Sequence, residues 1–184
     1  MTDIVEYDSG ISAVDSGYVR PMMAAIHLIR EGNRAALIDT GTNASIPRVL
    51  QALASHGLGP QSVDYVMLTH IHLDHAGGAG GLMQVLPNAK LTVHPRGARH
   101  MADQTRAMYG EILPVATDRI IETAEGAEVN LNGRRFGFLD TPGHARHQVA
   151  IQDHGSGCVF AGDTFGVSFR DLDWDDGRQS RQFI

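Results

Sequence analysis

The chain has 184 residues, of which 42% are hydrophobic and 20% are charged. That composition is typical of a soluble globular protein and excludes a disordered or membrane-embedded class, and the length fits one domain with a substantial core. The formal net charge is −6, and no cluster of Lys or Arg stands out along the sequence. A nucleic-acid partner needs concentrated positive charge, so we expect none.

The cysteine content and the N-terminal residues indicate the cellular compartment of the protein. The single cysteine, Cys158, cannot form an internal disulfide, and its apolar neighbours predict a small core residue in a buried strand. The first residues lack the basic start and long apolar run of a signal peptide, and no stretch reaches the length of a membrane span. The sequence therefore predicts a reducing, cytoplasmic location and no membrane partner.

The first part of the chain has the pattern of an antiparallel sheet followed by a helix. Three apolar stretches separated by turn residues predict a meander across residues 10–38. His27 lies inside one of these strands, and we assign it a structural role. Apolar residues at helical spacing predict a helix from about residue 46 to Gly57, with Asn43 or Ser45 as its cap.

The most informative segment follows an apolar, β-prone run at residues 63–68. It places four potential metal ligands within six positions, namely His70, His72, Asp74 and His75. In extended chain, residues two apart project to the same side, so the first two histidines can point at one centre. Two imidazoles suit zinc or iron, while a carboxylate beside another imidazole can bind a neighbouring metal or accept a proton.

The next segment continues an alternation of strands and helices. Apolar residues predict a short helix at 82–86, stopped by a Pro-Asn pair, and a strand at 90–93. The alternation across residues 35–95 is typical of a layered α/β domain. His94 and His100 have no partner at ligand spacing, so we predict surface or substrate-pocket positions for them.

Two further strand pairs follow, and their ends carry polar motifs. Residues 127–131 and 134–139 flank an Asn-Gly pair, which favours a type I′ hairpin turn. Residues 149–152 and 158–161 predict a second pair. The sequence motif D-T-P-G-H follows the hairpin, and the motif G-D-T follows the second pair. We assign residues 1–167 to one domain and predict that the polar, acidic segment 168–184 is a poorly ordered tail.

Three motifs in this order resemble the signature of the metallo-β-lactamase-fold hydrolase superfamily, in particular its glyoxalase II-like branch. They are T-H-I-H-L-D-H-A-G-G, T-P-G-H and G-D-T, and the resemblance covers residues 35–166. It implies an α/β fold, the αβ/βα four-layer sandwich of that superfamily. The letters D-T-G from Asp39 resemble a further motif, whose aspartate braces the metal loop instead of binding metal.

The resemblance also implies a dinuclear metal site in which Asp163 bridges the two ions. The ligands it implies are His70, His72 and His144 for one metal, and Asp74, His75 and Asp163 for the other. Asp74 is also the expected catalytic residue, which orients the attacking group or receives its proton. Zinc, as two ions, is the implied cofactor, with iron or manganese left open.

The implied activity is hydrolysis of a small-molecule ester, thioester or related carbonyl by metal-bound hydroxide. A glyoxalase II-type thioesterase is favoured over a quorum lactonase, because Gly166 stands where lactonases carry a tyrosine. Family members with two metals usually supply a last histidine well after the G-D-T motif, but no histidine follows His154 in this sequence. This difference keeps alternative functions open. We therefore expect an incomplete C-terminal half, with an uncovered sheet edge that leaves homo-oligomer formation open.

Two other functions fit the same residues. Persulfide dioxygenases of this fold use one iron held by the equivalents of His70, His144 and Asp163, all of which are present. A non-catalytic metal-binding scaffold is the third hypothesis.

Overall fold

The computed structural model describes residues 4–102 and 113–165, together with the backbone of 167–169 and 180–182. Its larger sheet has seven strands, which lie side by side in chain order. The first four strands are antiparallel and the last three continue in parallel. These strands are β1 (Ile4–Glu6), β2 (Ile11–Asp15), β3 (Ala25–Glu31), β4 (Arg34–Ile38), β5 (Val63–Met67), β6 (Lys90–Val93) and β7 (Ile120–Glu122). The predicted meander and the strands before and after the histidine loop are thus confirmed, whereas β1 and β7 were not predicted.

Within the described ranges, four α-helices follow strands of this sheet. They are α1 (Ile46–Ser55), α2 (Leu73–Ala76), α3 (Ala79–Val85) and α4 (Pro95–Ala102). Ser45 occupies the N-cap position of α1 without a side-chain capping bond. Its hydroxyl instead accepts from the N–H of Thr42 and donates to the carbonyl of Ser16. The predicted cap position is right, but the side chain ties the helix start to the β2–β3 loop.

The smaller sheet has four antiparallel strands in the order β11-β10-β9-β8. They are β8 (Glu128–Leu131), β9 (Arg134–Asp140), β10 (Val149–Asp153) and β11 (Val159–Phe160). Asn132 and Gly133 both have positive φ, at 50° and 100°, as a type I′ turn requires. Both predicted strand pairs are confirmed.

Strand alternation divides the interior into two cores. In β3, Ile26 and Leu28 pack into a core that also contains the buried residues of the helices, whereas Ile29 faces the smaller sheet. The second core includes Phe136 and Phe138, both fully buried. The layers are therefore helices, large sheet and small sheet, which confirms the predicted α/β architecture. Among the described residues, the helices contribute only to the first of these cores.

Arg134, which forms a buried ion pair within the small sheet, also joins this sheet to the large one at the end remote from the histidine loop. Arg134 on β9 donates to both carboxylate oxygens of Asp153 on β10 and to the carbonyl of Ser9 at 2.6 Å. Burial opposes ionisation of Asp153, but the hydrogen bonds from Arg134 lower its pKa below the ordinary value. The pair is thus charged, and it links the small sheet to the β1–β2 turn of the large one.

The folded chain bears on three predictions about single residues. Cys158 is exposed because it precedes the edge strand β11, so its assignment to the core was wrong. His94 is only 7% exposed, with its Nε2 atom 3.6 Å from a carboxylate oxygen of Asp140. Of its two predicted positions, the surface one is therefore wrong, and the substrate-pocket one stays a prediction. His27 lies in β3 with its ring 4.9 Å from that of Phe160, in agreement with a structural role.

The C-terminal segment contains paired backbone that was not predicted. Val167–Phe169 and Ser180–Gln182 form the antiparallel strands β12 and β13. The prediction of a poorly ordered tail otherwise falls on residues outside the described ranges and stays a prediction. Nowhere in the described part of the chain does a helix have the length and apolar character that a membrane span requires.

Candidate metal centre

The polar ends of both sheets meet at one edge of the fold. The parallel strands β4 and β5 are followed by Asp39 and by the Thr69–His70 pair, respectively. The backbone N–H of Val149 on β10 donates to the Thr69 carbonyl at 2.8 Å. That bond joins the small sheet to the start of the histidine loop. The chain segments after β9 and β11 consequently bring His144 and Asp163 to the same place.

The histidine loop turns tightly back over the end of β4. His72 has extended backbone, with φ −67° and ψ 157°, and serves as the N-cap residue of α2, while His75 lies inside that helix. A Cβ on Gly78 would come within 2.6 Å of the Thr42 carbonyl oxygen. Glycine is therefore needed there to let the loop pass the neighbouring backbone.

One group of donor atoms joins three of the predicted ligands. The side chains of His70, His72 and His144 offer ring nitrogens that all lie within 4.8 Å of one another. The Nε2 atom of His144 is 2.7 Å from Nδ1 of His72. This is the trio that the sequence analysis assigned to the first metal.

A second group shares His70 with the first. It joins His70, His75 and Asp163, again with donor atoms within 4.8 Å. One carboxylate oxygen of Asp163 is 3.3 Å from Nε2 of His75, and the other is 3.4 Å from Nε2 of His144 and 3.9 Å from Nε2 of His70. The Asp163 carboxylate thus lies between the two groups, where a bridging ligand would be expected.

Asp74 lies at the more open side of this cluster. One of its carboxylate oxygens is 3.6 Å from Nε2 of His75, and its side chain is 28% exposed. It does not belong to either group of mutually close donor atoms. The geometry therefore leaves its assigned roles, as ligand and as proton acceptor, as predictions.

Asp39 contacts the histidine loop at three points. Its carboxylate accepts the backbone N–H of Thr69 at 2.8 Å and the Thr69 hydroxyl at 2.8–3.0 Å, and one oxygen is 2.8 Å from Nδ1 of His75. Its backbone has φ +60°, which few non-glycine residues adopt. These contacts orient His75 so that its Nε2 atom faces Asp163, as the predicted bracing role requires.

Burial and neighbouring charge divide the histidines into two kinds. Burial, followed by the proximity of His75, lowers the pKa of His70 to about 3, and burial and His144 lower the pKa of His72. Burial lowers the pKa of His75, but the carboxylates of Asp39 and Asp163 outweigh this effect and raise the pKa to about 10. His70 and His72 are therefore neutral at pH 7, with free lone pairs, whereas His75 carries a proton that a metal would have to displace.

The donor set fits a divalent metal. The Nε2 atom of His70 is buried and has no hydrogen-bond partner among the described residues, although it belongs to both donor groups. Leaving such an atom unpaired is costly, and a cation bound to it would remove that cost. Imidazole and carboxylate ligands together suit zinc, iron or manganese.

The sequence analysis missed His147. Its ring centroid lies 5.8 Å from that of His72 and 6.4 Å from that of His70, and its Nδ1 atom is buried without a partner among the residues described. Its position three residues after His144 is the only signal in the sequence that could have indicated it. His147 thus forms part of the wall beside the first donor group.

Comparison with known proteins agrees with this fold and site. The family model of the metallo-beta-lactamase superfamily matches residues 19–182. A metallo-beta-lactamase fold-containing protein from Sulfurisphaera tokodaii is 27% identical over 87% of this chain and 64% of its own length. A hydroxyacylglutathione hydrolase from Stenotrophomonas maltophilia is 33% identical over 74% of this chain and 44% of its own.

Solved structures show the same fold. MEM-A1, a subclass B3 metallo-beta-lactamase isolated from a soil metagenome library, aligns with a TM-score of 0.69 at 22% identity, over 82% of this chain and 57% of its own. The present chain thus spans about half the length of the relatives that it matches. With a family model matching most of its residues and three motifs brought together at one edge of two sheets, the chain belongs to the metallo-beta-lactamase superfamily.

Proposed function

We propose that the protein is a metal-dependent hydrolase that cleaves an ester or thioester of a small molecule, with two zinc ions as cofactor. The observation that carries this proposal is the pair of overlapping donor groups, which share His70 and have Asp163 between them. A metal pair in such a site supplies Lewis acidity and lowers the pKa of bound water to about 7.

The side chains of this chain have separate tasks in the proposed reaction. His70, His72 and His144 would hold one metal, and His75 with Asp163 the other. Low pKa values keep His70 and His72 in the neutral form that binds metal. Asp39 holds His75 in position through its contact with Nδ1.

Asp74 is the proposed proton acceptor. Its carboxylate lies on the open side of the cluster, 3.6 Å from Nε2 of His75 and partly exposed. A carboxylate there can orient the attacking water, take its proton and pass it to solvent.

A thioester is the favoured substrate class. Several relatives that are 31–33% identical are hydroxyacylglutathione hydrolases, and their name describes hydrolysis of an acyl thioester of glutathione. Because the chain spans less than half the length of these relatives, we propose the reaction type and leave the acyl and thiol parts to experiment.

A mononuclear iron dioxygenase is the second candidate, and one arrangement favours it. One carboxylate oxygen of Asp163 lies 3.4 Å from Nε2 of His144 and 3.9 Å from Nε2 of His70, which brings two imidazoles and one carboxylate close together. Two histidines and one carboxylate with open positions is the usual iron site of non-haem oxygenases. In this reading His72 is not a ligand.

The two candidates differ in their need for His72, and this difference defines the experiment. We would measure the metal content of wild type and His72→Ala, hydrolysis of S-lactoylglutathione, and oxygen consumption on glutathione persulfide. The control is His154→Gln, a partly exposed histidine paired with Glu128 on the small sheet. Loss of zinc and thioesterase activity in His72→Ala alone supports the hydrolase.

Each alternative predicts a different result. Iron retained by His72→Ala, with oxygen consumption by the wild type, would establish the dioxygenase. Folded wild-type protein that binds metal but catalyses neither reaction would favour the non-catalytic scaffold.

A further inference from the structure

Most cationic side chains in the described part of the chain already have anionic or carbonyl partners. Five arginines form ion pairs with carboxylates, and Arg119 donates to the backbone carbonyls of Met83, Leu86 and Ala89. The five pairs are Arg30–Glu6, Arg34–Asp64, Arg48–Asp15, Arg134–Asp153 and Arg135–Glu128. These six arginines therefore have partners for their positive charge within the fold.

Three arginines differ in having no carboxylate partner, although one of them, Arg96, donates to a backbone carbonyl. Arg96, Arg99 and Arg146 are exposed, and none of them pairs with a carboxylate of the described residues. In a chain with a formal net charge of −6, a group of cations without carboxylate partners among the described residues is unexpected if it serves only solubility. It raises the question of what anion these side chains bind.

The fold brings these cations together from distant parts of the sequence. Arg96, Arg99 and His100 occupy one face of α4, because residues three and four apart are neighbours on a helix. The Arg96 guanidinium donates to the backbone carbonyl of Arg146 at 3.2 Å, although fifty residues separate them. We name Arg96, Arg99, His100 and Arg146 the cationic rim.

The cationic rim adjoins the candidate metal centre. Arg146 lies between His144, a member of the first donor group, and His147, whose ring is 5.8 Å from that of His72. Among the described residues, Asp140 is an acidic group on this side, and one of its carboxylate oxygens lies 3.6 Å from Nε2 of His94.

We propose that the substrate carries a carboxylate or a comparable small anionic group, which Arg96 and Arg146 bind beside the metal centre. This inference rests on the proposed hydrolase and specifies its substrate class. Guanidinium groups bind carboxylates through strong, directional hydrogen bonds, and positive charge at a cleft attracts anionic substrates. The anionic group then fixes the orientation of the ester or thioester carbonyl toward His70 and His72.

A single-stranded nucleic acid is a less suitable ligand for the same surface. Proteins that bind single strands usually combine a basic groove with aromatic side chains on which the bases stack. Neither residues 94–102 nor residues 140–148 contain Phe, Tyr or Trp. The rim therefore fits a small anion better than a polyanion.

The test compares two thioesters that differ only in charge. The substrates are S-acetyl-mercaptopropionate and its uncharged amide, and the readout is the ratio of their kcat/KM values with the metal-loaded full chain at low salt. The variants are the double variant Arg96→Gln/Arg146→Gln and the control Arg135→Gln, an exposed arginine on β9. The expected wild-type preference for the carboxylate falls about 10–100-fold in the double variant, mainly through KM, and persists in the control.

Two outcomes separate this inference from the proposed function. If the protein hydrolyses both thioesters without a charge preference, or if the preference survives in the double variant, the rim is not a substrate site although the hydrolase stands. If neither thioester is hydrolysed, the proposed reaction fails, and binding then decides the inference.

The binding measurement uses glutarate and uncharged glutaramide in calorimetric titrations of the same proteins. We expect glutarate to bind wild type about 10-fold more tightly than the double variant, with no such difference for glutaramide. Equal glutarate binding by both proteins would overturn the inference. Displacement of glutarate by a short oligonucleotide that binds more tightly than glutarate would also overturn it, in favour of a polyanion.

Discussion

Substitution of Asp39 by Asn tests how the fold prepares the metal centre. The Asp39 carboxylate accepts from the Thr69 N–H and hydroxyl on one side and lies 2.8 Å from Nδ1 of His75 on the other. An amide of the same shape has only one oxygen. It can accept from Thr69 or from His75, but its NH₂ group then faces a donor on the remaining side.

The expected size of the effect follows from these contacts. Loss of a residue that orients a ligating histidine typically weakens metal binding by about 10–100-fold, which corresponds to about 1.4–2.7 kcal/mol. Thr69 and Asp39 are also 1% and 5% exposed, so an N–H left unpaired there costs about 1–3 kcal/mol of folding free energy. We therefore expect both metal affinity and stability to fall in Asp39→Asn.

Competition with a chromogenic chelator measures the metal affinity, and urea denaturation of the metal-free protein measures the stability. Asp64→Asn is the matched control, because Asp64 lies on the neighbouring strand β5 and pairs with Arg34, both with partly exposed side chains. We expect the control to change metal affinity by less than about 2-fold, since surface ion pairs contribute little. Unchanged affinity in Asp39→Asn would refute the proposed bracing role.

Three further predictions follow from groups described above. Metal affinity should rise about 10-fold per pH unit between pH 7 and 10, because the proton on His75, whose pKa is about 10, competes with the metal below that pH. Chelator competition across this range measures the affinity, and an affinity that does not change with pH would exclude a protonated His75. Arg134→Met should lower the free energy of unfolding by about 3–5 kcal/mol, because it leaves the fully buried Asp153 carboxylate without its partner. The pKa of Asp153 is lowered in the fold, so the ion pair contributes its full stabilisation above the ordinary pKa of Asp and loses it as the pH falls through the lowered pKa. In urea denaturation at pH 7 and pH 3, the difference in unfolding free energy between wild type and Arg134→Met should therefore be smaller at pH 3. Cys158 is exposed, so its thiol should react with a thiol reagent about as fast in the native protein as in the denatured protein. A much slower reaction in the native protein would support the original assignment of Cys158 to the core.

The local patterns of this sequence were sufficient wherever neighbours along the chain decide the structure. Alternating apolar residues determined β2 to β6 and the two faces of the large sheet, since side chains in a strand alternate by geometry. The Asn132-Gly133 pair determined the hairpin because both residues accept positive φ. The spacing of His70 and His72 likewise indicated the first donor group.

Tertiary structure alone decided which distant residues share the site. Asp39 reaches Thr69 and His75 across thirty or more residues, His147 approaches His72, and Arg96 meets the backbone of Arg146. Sequence spacing carries no information about such contacts, because they depend on how strands from two sheets end at a common edge. For the same reason Cys158 looked buried from its apolar neighbours, while its exposure depended on which strand became the edge of the small sheet.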